Sequence, residues 1–529
     1  MNITIGTLLA FSFVASMSAM LALIWAISSK QLHVTQEDAK VIFEEGKEPS
    51  FDDSTSSRSS SSALEAPALE RRYRFLLLFM FGSAAFWLVF GSFFGLIASL
   101  KLHLPEFLVS QDVLTFGRMR TMHLNSVAYG FLSLSGVGVA YWVVPAIFKT
   151  EARLVKLALV GAILWNVSLF LGVGAIAHGW TDGLEWLEIP WQIDIGLAIA
   201  GALLAIPLVV TVRHRHVHHI YVSGWYYLAG LMWFPVLFLL ANVPGIHHGA
   251  QQATTNWWFA HNVLGLWLTP LGLGAAYYFL PKIIGKPIYS YRLSLIGFWA
   301  LALFYSQVGM HHLIGGPVPT WVVSLSVVQS VMMIVPVIAV AINQHVLSLG
   351  NPWALKESLP FRFIAVGAIM YTLASVQGSM EAIRAINTIT HFTHYTVGHA
   401  HMGAYAFVAW VLFGAMYYIL PRVVGQEWPS RGGIALHFWL VFIGFVIYFV
   451  ALTIGGWLQG LAMLDPARSF LESMELMKPY LTARSIGGGL MTFGHLVFVY
   501  NFIQLWRRSR SYLNSPSVAN ATTVGRAES

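Results

Sequence analysis

The stretch THYTVGHAHMGAYAFVAW, residues 393–410, sets His399 and His401 two positions apart at the head of a long apolar run, with His391 and His394 close by. A run of this kind is bound for lipid, where an ionisable side chain is costly and marks function by default. In an α-helix, two residues are separated by about 200° around the axis. The two imidazoles therefore point to nearly opposite sides and cannot share one metal. They can serve two centres standing on either side of the helix.

The rest of the chain agrees with the lipid reading. Of its 529 residues, 57% are hydrophobic and 10% charged, with mean hydropathy +0.66. A soluble protein cannot hide that much apolar surface, whereas a polytopic membrane protein turns it to lipid. Runs near membrane length recur at 4–28, 73–100, 121–147, 155–178, 190–212, 222–242, 256–283, 290–313, 319–343, 361–380, 396–420, 435–460 and 485–506. That is about thirteen spans. Long unbroken runs exclude a β-barrel, which needs short alternating strands. The expectation is an all-α polytopic membrane protein in four parts. A single-span N-terminal module (1–50) precedes a Ser-rich cytoplasmic linker (51–70, containing STSSRSSSSALEAPALE), a twelve-span core (71–510) and a cytoplasmic tail (511–529). The first run lacks a basic leader and a small-residue cleavage site, so it reads as a retained anchor. No clear internal repeat is visible.

The net charge of +7 could suggest nucleic acid, but its distribution argues against that. Basic residues cluster in alternate loops: Arg71, Arg72 and Arg74; Lys149, Arg153 and Lys156; Arg213 and Arg215; Lys282 and Lys286; Arg422 and Arg431; Arg507, Arg508 and Arg510. This is the positive-inside pattern, with the N-terminus outside and the C-terminus in the cytoplasm. The absence of cysteine removes disulfides, iron–sulfur clusters and thiolate metal sites.

On this topology the histidines converge on the outer side. His123 lies in GRMRTMHLNSVAYGF, His261 in WWFAHNVLGLWLT, and His311 with His312 in FYSQVGMHHLIGG. Three neutral imidazoles suit copper with an open position. A facing pair suits a six-coordinate heme, and a single histidine suits a heme with a free face. Six histidines match a division into two, one and three. A lone histidine in a helix is more often a hydrogen-bonded polar residue than a ligand; the joint pattern near one leaflet outweighs that. The loop RHRHVHH (213–219) is different, and reads as a solvated turn or an adventitious metal binder.

These motifs resemble, over roughly residues 73–506, the catalytic subunit I of heme–copper oxygen reductases, and most closely the C family, the cbb(3)-type cytochrome c oxidases of bacterial inner membranes. The resemblance implies two b-type hemes and one copper ion. His399 would ligate the high-spin heme, His123 and His401 the low-spin heme, and His261, His311 and His312 the copper. Arg120, Glu185 and Glu188 would lie near heme propionates and a calcium ion. Tyr305, six residues before the histidine pair, matches the redox-active tyrosine that this family links covalently to a copper-ligating histidine. Helical rise then puts it about 9 Å cytoplasmic of the pair. Ser294, Tyr277 and Thr269 would carry protons from the cytoplasm. Partners implied are membrane-anchored cytochrome c subunits, cytochrome c as donor, dioxygen and the bilayer, with no nucleic acid. Electrons would enter on the outer side.

The runner-up is a nitric oxide reductase, which shares the fold but carries a glutamate four residues after the first metal histidine. That position here is Gly265. A polytopic transporter would need an intramembrane proton relay and repeated segments. Two departures touch the outer region: Gln377 stands where the C family has glutamate, with Glu381 one turn on, and His394 where it has aspartate. More weakly, WAISSKQ (25–31) and EDAKVIFEEG (37–46) resemble the small single-span assembly protein of cbb(3)-type oxidases.

Overall fold

The computed structural model describes residues 17, 20–43 and 71–513. Most of the first apolar run, the Ser-rich linker and most of the tail lie outside the described residues. Among those described, twelve helices are long and apolar enough to cross a membrane, one for each run expected between 73 and 506. They are α1 (Arg71–Lys101), α2 (Phe116–Ile147), α3 (Val155–Ala177), α4 (Trp191–Arg213), α5 (Val222–Asn242), α6 (Ala250–Ile284), α7 (Tyr291–Tyr305, the α-helical part of a span that runs on to Leu313), α8 (Thr320–Leu349), α9 (Leu359–Glu381), α10 (His394–Val424), α11 (Arg431–Leu464) and α12 (Phe470–Leu513). Helices prevail because lipid offers no hydrogen bonds, and each helix satisfies its own backbone.

Burial sorts the spans. The apolar windows of α2, α6 and α10 are 94%, 89% and 100% buried, against at most 61% elsewhere. These three form the centre, and the outer spans turn residues such as Phe170, Met232 and Leu303 outward. Each central helix also contains a π-helical stretch: Ser126–Leu132, Val263–Leu268 and Met402–Ala409. Every stretch begins within one turn after His123, His261 or His401. A π turn inserts a residue and re-aims the side chains around it, which is why such turns gather at functional sites.

The chain does carry a repeat, and this corrects the sequence reading. YYFLPKIIG (277–285) ends α6 and YYILPRVVG (417–425) ends α10. Both close on a left-handed glycine, Gly285 (φ 75°) and Gly425 (φ 70°), whose amide donates to the carbonyl of Pro281 or Pro421 at 2.8 Å. The next helix starts on a serine cap in both cases, Ser290 or Ser430. That serine's amide donates to an asparagine two spans after the repeat's central helix: Asn343 at 2.7 Å, Asn501 at 3.2 Å. In the first third of the chain, the Arg153 amide donates to Thr211 Oγ1 at 3.0 Å in the corresponding place. Three four-span units therefore share one turn-locking device. The matching stretches are legible in the sequence, whereas the lock residues differ in type and spacing and are paired only by the fold.

Candidate metal centre

His261 sits on α6, while His311 and His312 sit in a 3-10 turn, Met310–Leu313, beyond the end of α7. The chain reverses at Gly309, whose φ of 127° is open only to glycine at little cost, and where a Cβ would lie 2.5 Å from the Trp257 carbonyl oxygen. Ser326 on α8 holds the turn: its hydroxyl accepts from the amides of Gly309 (3.2 Å) and His311 (3.1 Å). This corrects the expected continuous helix through the histidine pair. α7 stops at Tyr305, so helical rise does not set the distance from Tyr305 to the pair. The turn brings both imidazoles against His261 instead.

The result is a group of three imidazoles. The ligand atoms of His261, His311 and His312 all lie within 4.8 Å of one another. Their ring centroids are 4.8 Å (His261–His311), 5.4 Å (His261–His312) and 4.4 Å (His311–His312) apart. His311 Nδ1 lies 3.1 Å from both Ser326 Oγ and Ser330 Oγ, which orients the ring and leaves Nε2 free. The Trp257 ring stacks on His312 at 4.4 Å. His261 Nδ1 is buried without a hydrogen-bond partner, as a donor nitrogen reserved for an ion would be. An all-imidazole set of this kind suits copper.

Tyr305 completes the cluster, its ring centroid 5.1 Å from that of His261. It lies directly over Gly265, where an added Cβ would overlap Cε1 of the Tyr305 ring. No side chain fits at position 265 while the tyrosine keeps its place.

His399 and His401 diverge as their spacing requires. The His401 ring faces His123 from α2 at 6.2 Å, the planes only 8° apart. Both Nδ1 atoms are tied to backbone carbonyls, His123 to Gly91 (2.8 Å) and His401 to Val397 (2.9 Å). This fixes the tautomer and leaves Nε2 as the lone-pair atom on each ring, that of His401 lying 3.2 Å from the Tyr448 hydroxyl. Two parallel imidazoles so held fit an iron between them, since metal–imidazole bonds are about 2 Å. His399 turns to α9 instead, where a Cβ on Gly378 would lie 2.8 Å from its ring. Its Nδ1 is buried and unpartnered. All three rings remain half-buried inside a packed bundle, so each borders internal space.

Arg120 pairs with Glu185, while Glu188 Oε2 accepts from Asn125 Nδ2 at 3.0 Å. Burial, with the Glu185 carboxylate beside it, pushes the Glu188 carboxyl up to about 7, against the opposing pull of Asn125 and Arg120. Asn256 on α6 clasps the Glu185 backbone on both sides (2.9 and 3.2 Å). These residues therefore form one cluster near the starts of α2 and α6.

The three residues expected along a proton path are not directly joined. Ser294 Oγ donates to the Tyr291 carbonyl at 2.6 Å, and the Tyr277 carbonyl accepts from Tyr221 at 2.9 Å. Thr269 begins the regular part of α6 after its π stretch. Tyr371 on α9, which the sequence did not single out, is buried with its ring 4.9 Å from that of Phe407. Ser326, Ser330 and Trp257 were also missed. Only Trp257 carried a signal, one helical turn before His261; the serines lie on another span. Of the two departures, His394 Nδ1 bonds to Gln459 (3.1 Å) and Gln377 is buried on α9, as is Glu381 one turn on.

The family model of cytochrome c and quinol oxidase polypeptide I matches residues 75–490. The chain is 34% identical over 438 residues to the cbb3-type cytochrome c oxidase subunit CcoN1 of Stutzerimonas stutzeri, covering 80% of this chain and 92% of that one. It is 32% identical over 440 residues to a cytochrome c oxidase subunit 1 homolog of Agrobacterium tumefaciens, covering 79% and 81%. A nitric oxide reductase polypeptide of Stutzerimonas stutzeri is more distant, at 25% over 451 residues, with 78% and 91% covered. The fold matches a solved heme-copper terminal oxidase dimer with TM-score 0.68 at 17% identity, covering 83% of this chain and 84% of that one. Family membership implies heme and copper as cofactors. The chain belongs to the cytochrome c and quinol oxidase polypeptide I family, as the multi-pass catalytic subunit of a bacterial terminal oxidase of the cbb3 type.

Proposed function

We propose that this subunit reduces dioxygen to water at a copper ion held by His261, His311 and His312, beside a high-spin heme b on His399, with a low-spin heme b between His123 and His401. The observation that carries the reading is the wedge of Tyr305 into Gly265 beside three converging imidazoles. A non-heme iron site would call for an added carboxylate. The nitric oxide reductase position for it is filled here by the tyrosine ring.

When bound, the metals supply electrons and a Lewis-acid surface for cleaving the O–O bond. The chain's own contribution is positional. Ser326 and Ser330 aim His311, Trp257 braces His312, and the Gly309 reversal lets both reach His261. Tyr305 holds a proton and an oxidisable ring against His261, so one residue supplies a proton and an electron where the bond breaks. Arg120, Glu185 and Glu188 gather charge suited to propionates and a calcium ion. Ser294, Tyr277 and Thr269 carry protons inward towards Tyr305. By the positive-inside pattern the N-terminus is periplasmic and the C-terminus cytoplasmic, with cytochrome c delivering electrons on the outer side through membrane-anchored cytochrome c subunits.

The test is one optical spectrum of the purified, dithionite-reduced protein, with and without carbon monoxide. Two b-type hemes, only one of which binds carbon monoxide, is the expected result. One heme, or two that both bind carbon monoxide, would refute the ligand assignment.

A further inference from the structure

The segment 20–43 does not stand apart from the twelve-span core. Two glutamines clamp it to the end at which α5 and α7 begin. Gln31 donates from Nε2 to the His218 carbonyl (3.0 Å) and accepts on Oε1 from the Ile220 amide (2.9 Å). Gln36 donates to the Ile288 carbonyl (2.6 Å) and accepts from the Tyr291 amide (3.1 Å). A third tie runs from Lys282 Nζ to the Ile42 carbonyl at 2.8 Å. Gln31, Ala26 and Ala39 are buried in this contact, and Trp25 meets Trp225 edge-on at 6.1 Å. A side-chain amide that pairs with both a donor and an acceptor of the main chain fixes position as well as distance.

What the two glutamines bracket is one hydrogen bond. Gln31 grips the residues on either side of His219, and Gln36 grips the backbone entering Tyr291. Between them, His219 Nε2 lies 2.6 Å from the Tyr291 hydroxyl. That hydroxyl is also 3.4 Å from the Ile220 carbonyl. Ser294 donates to the Tyr291 carbonyl. The Tyr221 ring stacks on Tyr291 at 5.7 Å, and its hydroxyl reaches the Tyr277 carbonyl. The His219–Tyr291 pair thus stands where α5 and α7 begin, beside the residues assigned to the proton path. His219 closes RHRHVHH, the loop that the site otherwise leaves unexplained.

We infer that His219 is the entry residue of the cytoplasmic proton path, and that the N-terminal segment holds it on Tyr291 through Gln31 and Gln36. The inference rests on the proton path and orientation proposed above. In each transfer, a proton from cytoplasmic water binds His219 at Nδ1. The proton on Nε2 passes to the Tyr291 oxygen as the Tyr291 hydroxyl proton passes to water on its inner side, and His219 regains its starting tautomer by exchanging ring protons with cytoplasmic water. One proton enters, one leaves, and nothing is oxidised. The charged and titratable groups facing His219 are Asp38 of the N-terminal segment, His218 beside it and Tyr291 of α7. Burial keeps the ring below the ordinary histidine range, and the Asp38 carboxylate opposes that by favouring the protonated form. Gln31 and Gln36 are positioning residues.

The experiment measures oxygen-driven proton uptake in the full-length oxidase from pH 6 to 9, with reduced and carbon monoxide spectra as a control on the hemes. His219→Gln, which keeps a polar side chain but cannot titrate, is expected to slow uptake about tenfold, with normal spectra. Gln31→Ala combined with Gln36→Ala is expected to slow uptake severalfold and, with Asp38 no longer held beside the ring, to move the fall of uptake to lower pH. Ser294→Ala tests the path itself. If Ser294→Ala is slow while His219→Gln matches the unmutated protein across the pH range, the entry assignment is overturned and the path stands. If Ser294→Ala is itself normal, the path reading fails and takes this inference with it. Should His219→Gln lose its hemes, Asp38→Asn decides, because Asp38 is only half-buried and its hydrogen bonds stay within its own segment, to Thr35. Uptake slowed severalfold supports the inference; unchanged uptake overturns it.

Discussion

Tyr305 and Gly265 are two halves of one fit. Neither is informative alone: a tyrosine in a helix usually packs, and a glycine in a span usually lets helices approach. Together they decide which chemistry the site can host. Tyr305→Phe keeps the ring's shape and costs little packing. It is expected to leave heme spectra and copper content nearly intact while oxygen reduction falls by orders of magnitude; near-normal turnover with metals in place would end the proposed role. Peptide mapping of the unmutated protein should recover Tyr305 joined to His261. Gly265→Ala approaches the same point from the other side. Its Cβ would overlap the Tyr305 ring, so the tyrosine must move. Overpacking of this sort costs roughly 1–3 kcal/mol, and turnover should drop at least tenfold with the low-spin heme spectrum unchanged. Full activity in this variant would show that the tyrosine's seat is unimportant. The histidine division has its own check: His123→Ala and His401→Ala should each remove the low-spin signal and spare the carbon monoxide-binding heme. Loss of copper with both hemes retained would reverse the assignment.

Among the elements, α2, α6 and α10 matter most, and the same features recur in them. Each enters the bundle from one side, carries its histidine early, and loosens into a π stretch within a turn. α6 and α10 then end on proline and a left-handed glycine. The turn locks are independent of the metals. Asn501 both donates to the Ser430 carbonyl (3.0 Å) and accepts from its amide (3.2 Å), joining α12 to the start of α11. Removing both bonds in Asn501→Ala should cost about 2 kcal/mol, at about 1 kcal/mol per net hydrogen bond. A lower midpoint for thermal loss of heme, with ordinary turnover at room temperature, is the outcome to look for. An unshifted midpoint would mean the lock adds nothing to stability.

At the scale of the whole molecule, the centre is assembled from spans remote in sequence, with hydrogen bonds between spans holding its parts. Metal analysis should therefore give one copper per two hemes. Stripping copper with a chelator should abolish oxygen reduction and leave both heme spectra, because His123, His401 and His399 are held by α1, α9 and α10 rather than by the copper ligands. Stoichiometric non-heme iron, or nitric oxide reduced faster than oxygen, would move the chain towards its more distant relatives.

Hydropathy alone placed every described span between residues 73 and 506, because lipid admits few backbone solutions and length selects among them. The opposed directions of His399 and His401 were also legible, since two residues on a helix diverge whatever surrounds them. Their assignment to named metals rested on resemblance. Other features depended on contacts between spans. The end of α7 at Tyr305 follows from Ser326 gripping the next turn. The repeat shows in the sequence as YYFLPKIIG and YYILPRVVG, but the locks that serve the same turns are built from serine, threonine and asparagine on separate helices. The place of the N-terminal segment is set by two glutamines meeting backbone far along the chain. Local periodicity reports which face is apolar and how far a helix can run. It does not report which distant hydroxyl will accept a hydrogen bond, and in this protein such partners aim the imidazoles.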